Sequence, residues 1–435
     1  MLRYVIVLIA TLGVGACGVT MPHADKPKTL TLIYSGNLNG ELEPCGCSDG
    51  GNYGGIKRRL TLLKALRAED PQLVAVSAGG LISSESPRDR LKSEYILSGF
   101  ASFKYDAIGV QWRDLAYGHD LLKSQPLPWV STNWLHSGDF LEQRVIERPQ
   151  AKLAFFSWLD PKESPFKEMA GMHQGVSDDT AELLRQLRQA KSAGMLTILS
   201  TTLPLKKIEQ DFKLDDVDIL IVRAGYEVYD EPQQAGNTLV LKPGSRGMRV
   251  GKLVLTIDNN RISQWQHAVL DMPQTMDDAP ELTAWYDEYN AKVKEAYLAG
   301  VESKKAQEAG TSPYASAQAC KACHAPQFDK WTQTLHSQAF SKLEEVSKSF
   351  DPDCIGCHTV GFEQPGGYID TLTTPALANV QCENCHGAGR AHVDSKGKEK
   401  MPNSGWPRER MCAQCHVQKH SPEFNLDQYW PQIAH

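Results

Sequence analysis

The sequence has no long hydrophobic run beyond its N-terminus and no excess of positive charge. Its net charge is −6 and its pI is near 6.1, which gives no sign of a nucleic-acid partner. Cysteine outside one repeated motif is also scarce. Eight of the eleven cysteines belong to that motif, which leaves Cys17, Cys45 and Cys47. A protein with several membrane spans is therefore excluded.

The single apolar run, from Val5 to Ala16, has twelve residues. It is too short to cross a bilayer, and it has the length of a signal-peptide core. It ends directly at Cys17, an arrangement that resembles a bacterial lipobox. We therefore predict that Cys17 is lipidated, the alternative being an ordinary signal peptide with an incidental cysteine. Gly18, which is not an acidic residue, slightly favours the outer membrane.

The pattern C-x-x-C-H occurs four times between residues 320 and 416. It is the attachment signature of c-type haem, in which two thiols hold the porphyrin and the histidine binds the iron. Zinc sites also use paired cysteines, but they do not require a histidine directly after the second one. We predict four covalently bound haem c groups, attached through Cys320, Cys323, Cys354, Cys357, Cys382, Cys385, Cys412 and Cys415, with His324, His358, His386 and His416 as proximal iron ligands.

Four more histidines, one for each predicted iron, lie in the same part of the chain: His336, His392, His420 and His435. A ligand distant in sequence from an attachment site ties two haem-binding segments together, so that ligation also folds the chain. We predict that at least His336 and His392 bind irons of haems attached through other motifs. His435 is the next candidate and His420 the last. If neither reaches the fourth iron, that iron is open.

The pattern of apolar residues divides the rest of the chain into predicted domains. Short apolar runs alternate with helical patterns such as Ile56–Ala68 and Asp178–Ala193, which predicts an α/β domain. Aromatic residues from Asp277 to Gln307 recur at helical spacing and predict a connecting helix. The predicted order is a signal peptide (1–17), a tether (18–28), an N-terminal domain (29–270), a connecting helix and hinge (271–312), and a tetrahaem C-terminal segment (313–435).

The N-terminal domain contains the stretches LIYSGNLNGELEPCGC, YDAIGVQWRDLAYG and VDILIVRAGYE. In these it resembles the 5′-nucleotidase branch of the calcineurin-like metallophosphoesterases. The resemblance implies a β-sandwich flanked by helices and a catalytic site with two metal ions. The ligand positions of that family have changed, which predicts a domain without hydrolytic activity. The residues now present are Asn37–Asn39, Gly79–Gly80, Gln111–Asp114, Thr201 and Arg223–Tyr226.

Cys45 and Cys47 follow the first of these positions. They are poorly spaced to bond each other. They can bind a metal, pair elsewhere, exchange electrons, or serve as reduced structural cysteines.

The C-terminal segment contains CKACHAPQFDKWTQTLHSQAF and CENCHGAGRAHV. In these stretches it is similar to the tetrahaem cytochrome c-554 family. The similarity implies short, mostly helical linkers around a packed haem array that transfers electrons. His336 and His392 match positions that, in the family, ligate a neighbouring haem.

The leading hypothesis is an exported electron carrier in the periplasm or cell envelope, held to the membrane by a lipid. Its expected partners are redox proteins or quinol-linked enzymes, and no nucleic acid. One alternative is a redox enzyme that acts on a small nitrogen or sulfur compound at an open iron. The others are a phosphohydrolase with an accessory cytochrome and an N-terminal domain that serves as a docking module.

Overall fold

The computed structural model describes residues 27–43, 52–135, 138–164, 175–222, 231–307, 310–417, 420–421 and 424–435. The predicted signal peptide with Cys17, the Cys45 and Cys47 pair, and Arg223–Tyr226 lie outside these ranges. Within them, no helix combines the length and the apolar character needed to cross a bilayer.

Twelve strands in the described ranges form two six-stranded sheets. The strands are β1 (Lys28–Ser35), β2 (Val74–Ser77), β3 (Ala107–Gly109), β4 (Trp129–Val130), β5 (Arg144–Glu147), β6 (Lys152–Trp158), β7 (Leu196–Thr201), β8 (Ile219–Ile221), β9 (Gln233–Ala235), β10 (Thr238–Leu241), β11 (Arg249–Asp258) and β12 (Arg261–Asp271). The first sheet has the order β12-β11-β1-β2-β3-β4, and the second has the order β5-β6-β7-β8-β10-β9.

The two sheets pack face to face because their strands alternate in the direction of their side chains. In β1, Leu30, Leu32 and Tyr34 point into the core between the sheets. Ile33 points the other way, into a second core that the helices cover. Most strands are therefore apolar on both faces, as expected for sheets buried between layers.

Fourteen helices complete the described structure. They are α1 (Ile56–Glu69), α2 (Asp89–Ala101), α3 (His119–Lys123), α4 (Thr180–Ser192), α5 (Leu205–Asp211), α6 (Thr283–Gln307), α7 (Ala317–Lys321), α8 (Ala325–Thr332), α9 (Ala339–Glu345), α10 (Pro352–His358), α11 (Cys382–His386), α12 (Arg390–Asp394), α13 (Arg408–Cys412) and α14 (Leu426–Ile433).

Helices α1 and α2 cover the outer face of the first sheet, and α4 and α5 cover that of the second. The predicted β-sandwich flanked by helices is confirmed. The helices predicted over Ile56–Ala68 and Asp178–Ala193 are α1 and α4, each within two residues at either end.

Helix α6 lies where the aromatic pattern predicted a connecting helix, and it contacts both parts of the chain. The Trp285 indole donates a hydrogen bond to the Ser98 hydroxyl on α2, at 2.8 Å. Further along the same helix, the Tyr297 hydroxyl donates a hydrogen bond to the Ile369 carbonyl in the C-terminal segment, at 2.7 Å. The helix therefore joins the two parts by packing as well as by sequence.

Candidate functional site

Each of the four C-x-x-C-H motifs lies on or beside a short helix in the C-terminal segment. The second and third motifs are contained in α10 and α11, and the first and fourth begin in α7 and α13. In the first motif the His324 amide donates to the Cys320 carbonyl at 2.9 Å, which is a helical bond. The fourth repeats this bond between His416 and Cys412. One helical turn therefore places both thiols and the histidine together.

Three pairs of histidine rings face each other across gaps of nearly equal size. The ring centroids are 6.3 Å apart for His324 and His392, and 6.1 Å apart for His336 and His416. The third pair, His386 and His435, is separated by 5.9 Å. A metal-bound imidazole nitrogen lies about 2 Å from its metal, so two imidazoles on opposite sides of one iron have centroids roughly 6 Å apart. Each gap thus fits one iron.

In every pair one member belongs to an attachment motif and the other lies far away in sequence. His392 follows the third motif but faces the histidine of the first, and His336 follows the first but faces that of the fourth. His435 faces the histidine of the third. This crossed arrangement is the one that clamps separate segments together.

Hydrogen bonds to the main chain orient three of the histidine rings. The Nδ1 atoms of His358, His392 and His435 lie 2.6, 2.6 and 3.0 Å from main-chain carbonyl oxygens. A carbonyl only accepts, so Nδ1 carries the proton and the Nε2 lone pair is left for a metal. The three carbonyls belong to Ala339, Glu399 and Ile433.

Burial favours the neutral form of these rings. It lowers the pKa of His336, and the nearby rings of His416 and His358 lower that pKa further. Burial also lowers the pKa of His386, with His435 adding to the effect. A neutral imidazole is the form that binds a metal, because a proton would occupy the ligating lone pair.

His358 of the second motif differs from the other three proximal histidines. Among the described residues no imidazole faces it at the separation seen in the three pairs. His420, the remaining candidate, is half-buried, and its amide donates to the Val417 carbonyl at 3.0 Å.

The surface of the C-terminal segment also fits large apolar cofactors. Its buried apolar cluster is small and lies around the second motif: Phe340, Leu343, Ile355, Val360, Tyr368 and Leu377. Five of the nine exposed large hydrophobic side chains in the described residues belong to this segment: Leu335, Val346, Leu372, Val417 and Tyr429. A polypeptide with so little core of its own needs other apolar surface to pack on, and porphyrin rings supply it.

The N-terminal residues at which the resemblance predicts changed metal ligands contact other groups of the protein. The Gln111 amide donates to Asn37 Oδ1 at 3.0 Å and to the Ala78 carbonyl at 2.9 Å. The Arg113 guanidinium donates to Asn39 Oδ1. In the described part of the chain, no three His, Cys, Asp or Glu side chains converge as metal ligands would.

Asp114 holds the backbone around these positions. Its carboxylate is fully buried and accepts hydrogen bonds from the amides of Gly80 and Leu81, at 2.7 and 2.6 Å, and of Gln111, at 3.0 Å. Burial raises the pKa of Asp114, and these amide bonds oppose the rise. The residue therefore shapes the loop through main-chain hydrogen bonds.

Residues 319–387 match the family model for cytochrome c554 and c-prime. Over 140 residues, the chain is 29% identical to cytochrome c-554 of Nitrosomonas europaea, which covers 25% of this chain and 60% of that protein.

The N-terminal domain has relatives of a different kind. Snake venom 5′-nucleotidase of Naja atra is 22% identical over 189 residues, covering 39% of this chain and 36% of that protein. The solved structure of a 5′-nucleotidase precursor from Thermus thermophilus superposes with a TM-score of 0.53 at 16% identity, covering 65% of this chain and 61% of that one. The matched part of the chain thus spans about three fifths of the length of the cytochrome and about one third of the length of the snake venom nucleotidase. A metallophosphoesterase-like α/β fold precedes a helical cytochrome c region.

Contacts between the short helices show which motifs are neighbours in the cytochrome c554-like segment. Helix α11 of the third motif contacts α7 of the first and α13 of the fourth. The Asn384 side chain in the third motif donates to the carbonyl of Thr359, directly after the second motif, at 2.8 Å. The third motif therefore adjoins the other three.

The second motif lies against the N-terminal domain. Lys92 on α2 forms an ion pair with Asp353, directly before Cys354, at 2.5 Å. Arg88 forms another with Glu363 at 2.6 Å. The second motif is thus partly covered by the phosphoesterase-like fold.

Lys348 lies at the centre of this contact and was not anticipated from the sequence. Its ammonium pairs with Glu43 of the N-terminal domain, and also donates to Asn290 Oδ1 of α6 at 2.8 Å. Asp351 lies 3.4 Å away. Burial lowers the pKa of Lys348, but Glu43, Tyr286 and Asp351 together outweigh burial and the pKa is raised. The rings of Tyr286 and Tyr289 lie below the ammonium.

Glu383, inside the third motif, is a second residue that sequence reasoning missed. It is buried, and its carboxylate accepts bonds from the amides of Ala315 at 2.9 Å, Ser316 at 2.8 Å and Gly389 at 2.6 Å. It therefore ties the approach to the first motif to the turn that carries His392. The only signal in the sequence is a charged residue between two cysteines of a haem motif.

Proposed function

We propose that this protein is an exported c-type cytochrome that carries electrons through four covalently bound haems. The observation that carries the proposal is the combination of four C-x-x-C-H motifs with three facing histidine pairs 5.9 to 6.3 Å apart. The haem irons, when bound, supply reversible one-electron chemistry. The donor set present here, eight thiols with four proximal and at least three distal imidazoles, fits such groups.

The residues of the chain have three tasks in this function. The cysteines would fix the porphyrins, and the four histidines of the motifs would each hold one iron. His336, His392 and His435 would supply second imidazoles, which would close three irons to substrates and keep them low-spin. The contacts of the third motif with the other three would bring neighbouring haems together, which suits conduction.

The intact mass of protein matured in a host competent for c-type cytochromes tests this function. We expect the mass of the polypeptide plus four haems, because all four motifs are complete. Retention of the haems after acid–acetone extraction distinguishes covalent attachment from simple binding. A protein that carries zinc and no haem would end the proposal.

The location of the carrier follows from its chemistry. Covalent haem attachment in bacteria takes place outside the cytoplasm, which supports the periplasm or cell envelope, and a lipid on Cys17 would hold the protein to the membrane there. The partners are then redox proteins or quinol-linked enzymes of the envelope. Fractionation of a Cys17→Ser variant tests the anchor, since a variant that still sediments with membranes contradicts it.

The N-terminal domain, in this proposal, is a scaffold without hydrolytic activity. Neutral amides and glycines stand where the family holds two metal ions, and Arg113 places positive charge beside them. We expect nucleotidase and phosphodiesterase assays to stay at background with manganese, zinc or cobalt added. Metal-dependent turnover that disappears in Asn37→Ala or Asn39→Ala would contradict this expectation.

A second candidate function is a redox reaction of a small nitrogen or sulfur compound at an open iron. The observation that favours it is that the three facing pairs contain His324, His386 and His416 of the motifs and leave out His358. An iron with one open position is usually high-spin and binds small ligands. We expect nitric oxide to bind one haem in four of the unsubstituted protein, measured by titration of the reduced form. If no haem binds nitric oxide, every iron is closed to ligands and the protein only transfers electrons.

A further inference from the structure

We propose that Lys396, Lys398 and Lys400 form the docking surface for an acidic redox partner protein, beside the first motif. The inference rests on the proposed electron-transfer function and adds the place where electrons enter or leave. It begins from the surroundings of the first and second motifs, which both adjoin the third.

The second motif is covered by the protein itself. It lies against the N-terminal domain, through the ion pairs of Lys92 with Asp353 and of Arg88 with Glu363. The first motif has the opposite character. Residues 321–326 are exposed, and Cys323 is the exposed member among the eight motif cysteines, the other seven being partly buried. A partner protein can therefore approach the first motif directly.

The three lysines lie directly behind the imidazole that faces the histidine of the first motif. The Glu399 carbonyl, between Lys398 and Lys400, accepts the bond from His392 Nδ1 at 2.6 Å. His392 in turn faces His324 of the first motif. A protein docked on this loop is thus separated from the first iron by one turn of backbone and one imidazole, a short path for an electron.

The charges of these lysines are not used inside the protein. The other lysines in the described part of the C-terminal segment all have partners: Lys321 a phenyl ring, Lys330 a carbonyl, and Lys342 and Lys348 carboxylates. Lys396, Lys398 and Lys400 are exposed, and none forms an ion pair within the described residues. Asp394 and Glu399 offset part of their charge and leave it positive. Unpaired charge of one sign beside a redox centre steers a partner of the opposite sign.

The test uses the full-length haem-loaded protein with flavodoxin, an acidic one-electron donor. One variant carries Lys396→Gln, Lys398→Gln and Lys400→Gln. The control carries the same charge change at exposed lysines of the N-terminal domain: Lys152→Gln, Lys206→Gln and Lys213→Gln. In each reaction fully reduced flavodoxin loses one electron and one haem iron(III) becomes iron(II).

At low ionic strength we expect the second-order rate to fall about tenfold in the docking variant and little in the control. The difference should vanish near 0.5 M salt, where the charges are screened. Calorimetric titration with oxidised flavodoxin should show the same loss of affinity without any electron transfer. Circular dichroism and the haem spectrum confirm that both variants are folded.

Each other outcome overturns the inference. Equal rates in the two variants mean that net charge alone matters. Loss of binding to phosphatidylglycerol vesicles with an unchanged flavodoxin rate means that the lysines contact a membrane. If mass analysis finds no haem, the proposed function itself fails. If four haems are present and the lysines are without effect, only the docking surface is wrong.

Discussion

A His336→Ala protein that still carries its four haems should contain one additional high-spin iron. The His336 ring faces that of His416 at 6.1 Å, and alanine offers no atom to replace it. Loss of one strong-field imidazole opens the iron of the fourth motif and raises its reduction potential, on the order of 100 mV within the roughly 0.8 V that axial ligands span. Electron paramagnetic resonance and a redox titration measure both effects.

The comparison with other variants makes this prediction specific. His392→Ala should have the same effect on a different haem, the one attached through the first motif. His119→Ala, on α3 of the N-terminal domain, should leave the spectrum as it is. If neither His336→Ala nor His392→Ala changes the spectrum while the mass still shows four haems, the distal assignment is wrong and the haem count stands.

Lys348→Met should destabilise the protein by about 3 kcal/mol or more, because it leaves Glu43 and Asp351 facing each other without a cation in a largely buried contact. Methionine keeps the length of the apolar stem, so that the charge is the main difference. The free energy of unfolding, from denaturant titration of the haem-loaded protein, measures the cost. The N-terminal domain should also unfold separately from the cytochrome region, since the contact that couples them is weakened.

Lys342→Met is the matched control for this experiment. Lys342 lies on the exposed face of α9 and pairs with Glu345 at 2.9 Å, a type of surface pair that contributes less than about 0.5 kcal/mol. A Glu43→Gln variant and the double variant complete a cycle that isolates the pair. If Lys348→Met costs no more than Lys342→Met, the contact is not what holds the two parts together.

Much of the candidate site could be predicted from the sequence, because the haem-attachment signature is a local pattern. Two cysteines and a histidine within five residues need no information about the fold. The histidines that face His324 and His416 were harder to predict. A distal ligand is defined by its position in space and has no sequence motif of its own. Counting one spare histidine for each iron and the resemblance still led to His336 and His392, which the structure brings opposite proximal histidines.

Other features could not be predicted for physical reasons. Strand β12 is hard to recognise in the sequence because all of its side chains are exposed or half-buried, so the alternation that reveals a strand is weak. The contact of Lys348 with Glu43 joins residues about three hundred positions apart, and nothing near either residue marks it. The cysteines at positions 45 and 47 lie outside the described residues, and their role stays open.

The crossed histidine pairs have a consequence for cutting this part of the chain. The pairs span residues 324 to 392, 336 to 416, and 386 to 435, so that the intervals overlap. A break anywhere between residues 324 and 435 separates at least one pair. We therefore expect that no single proteolytic cut in this interval leaves two fragments in which every histidine keeps the partner it faces.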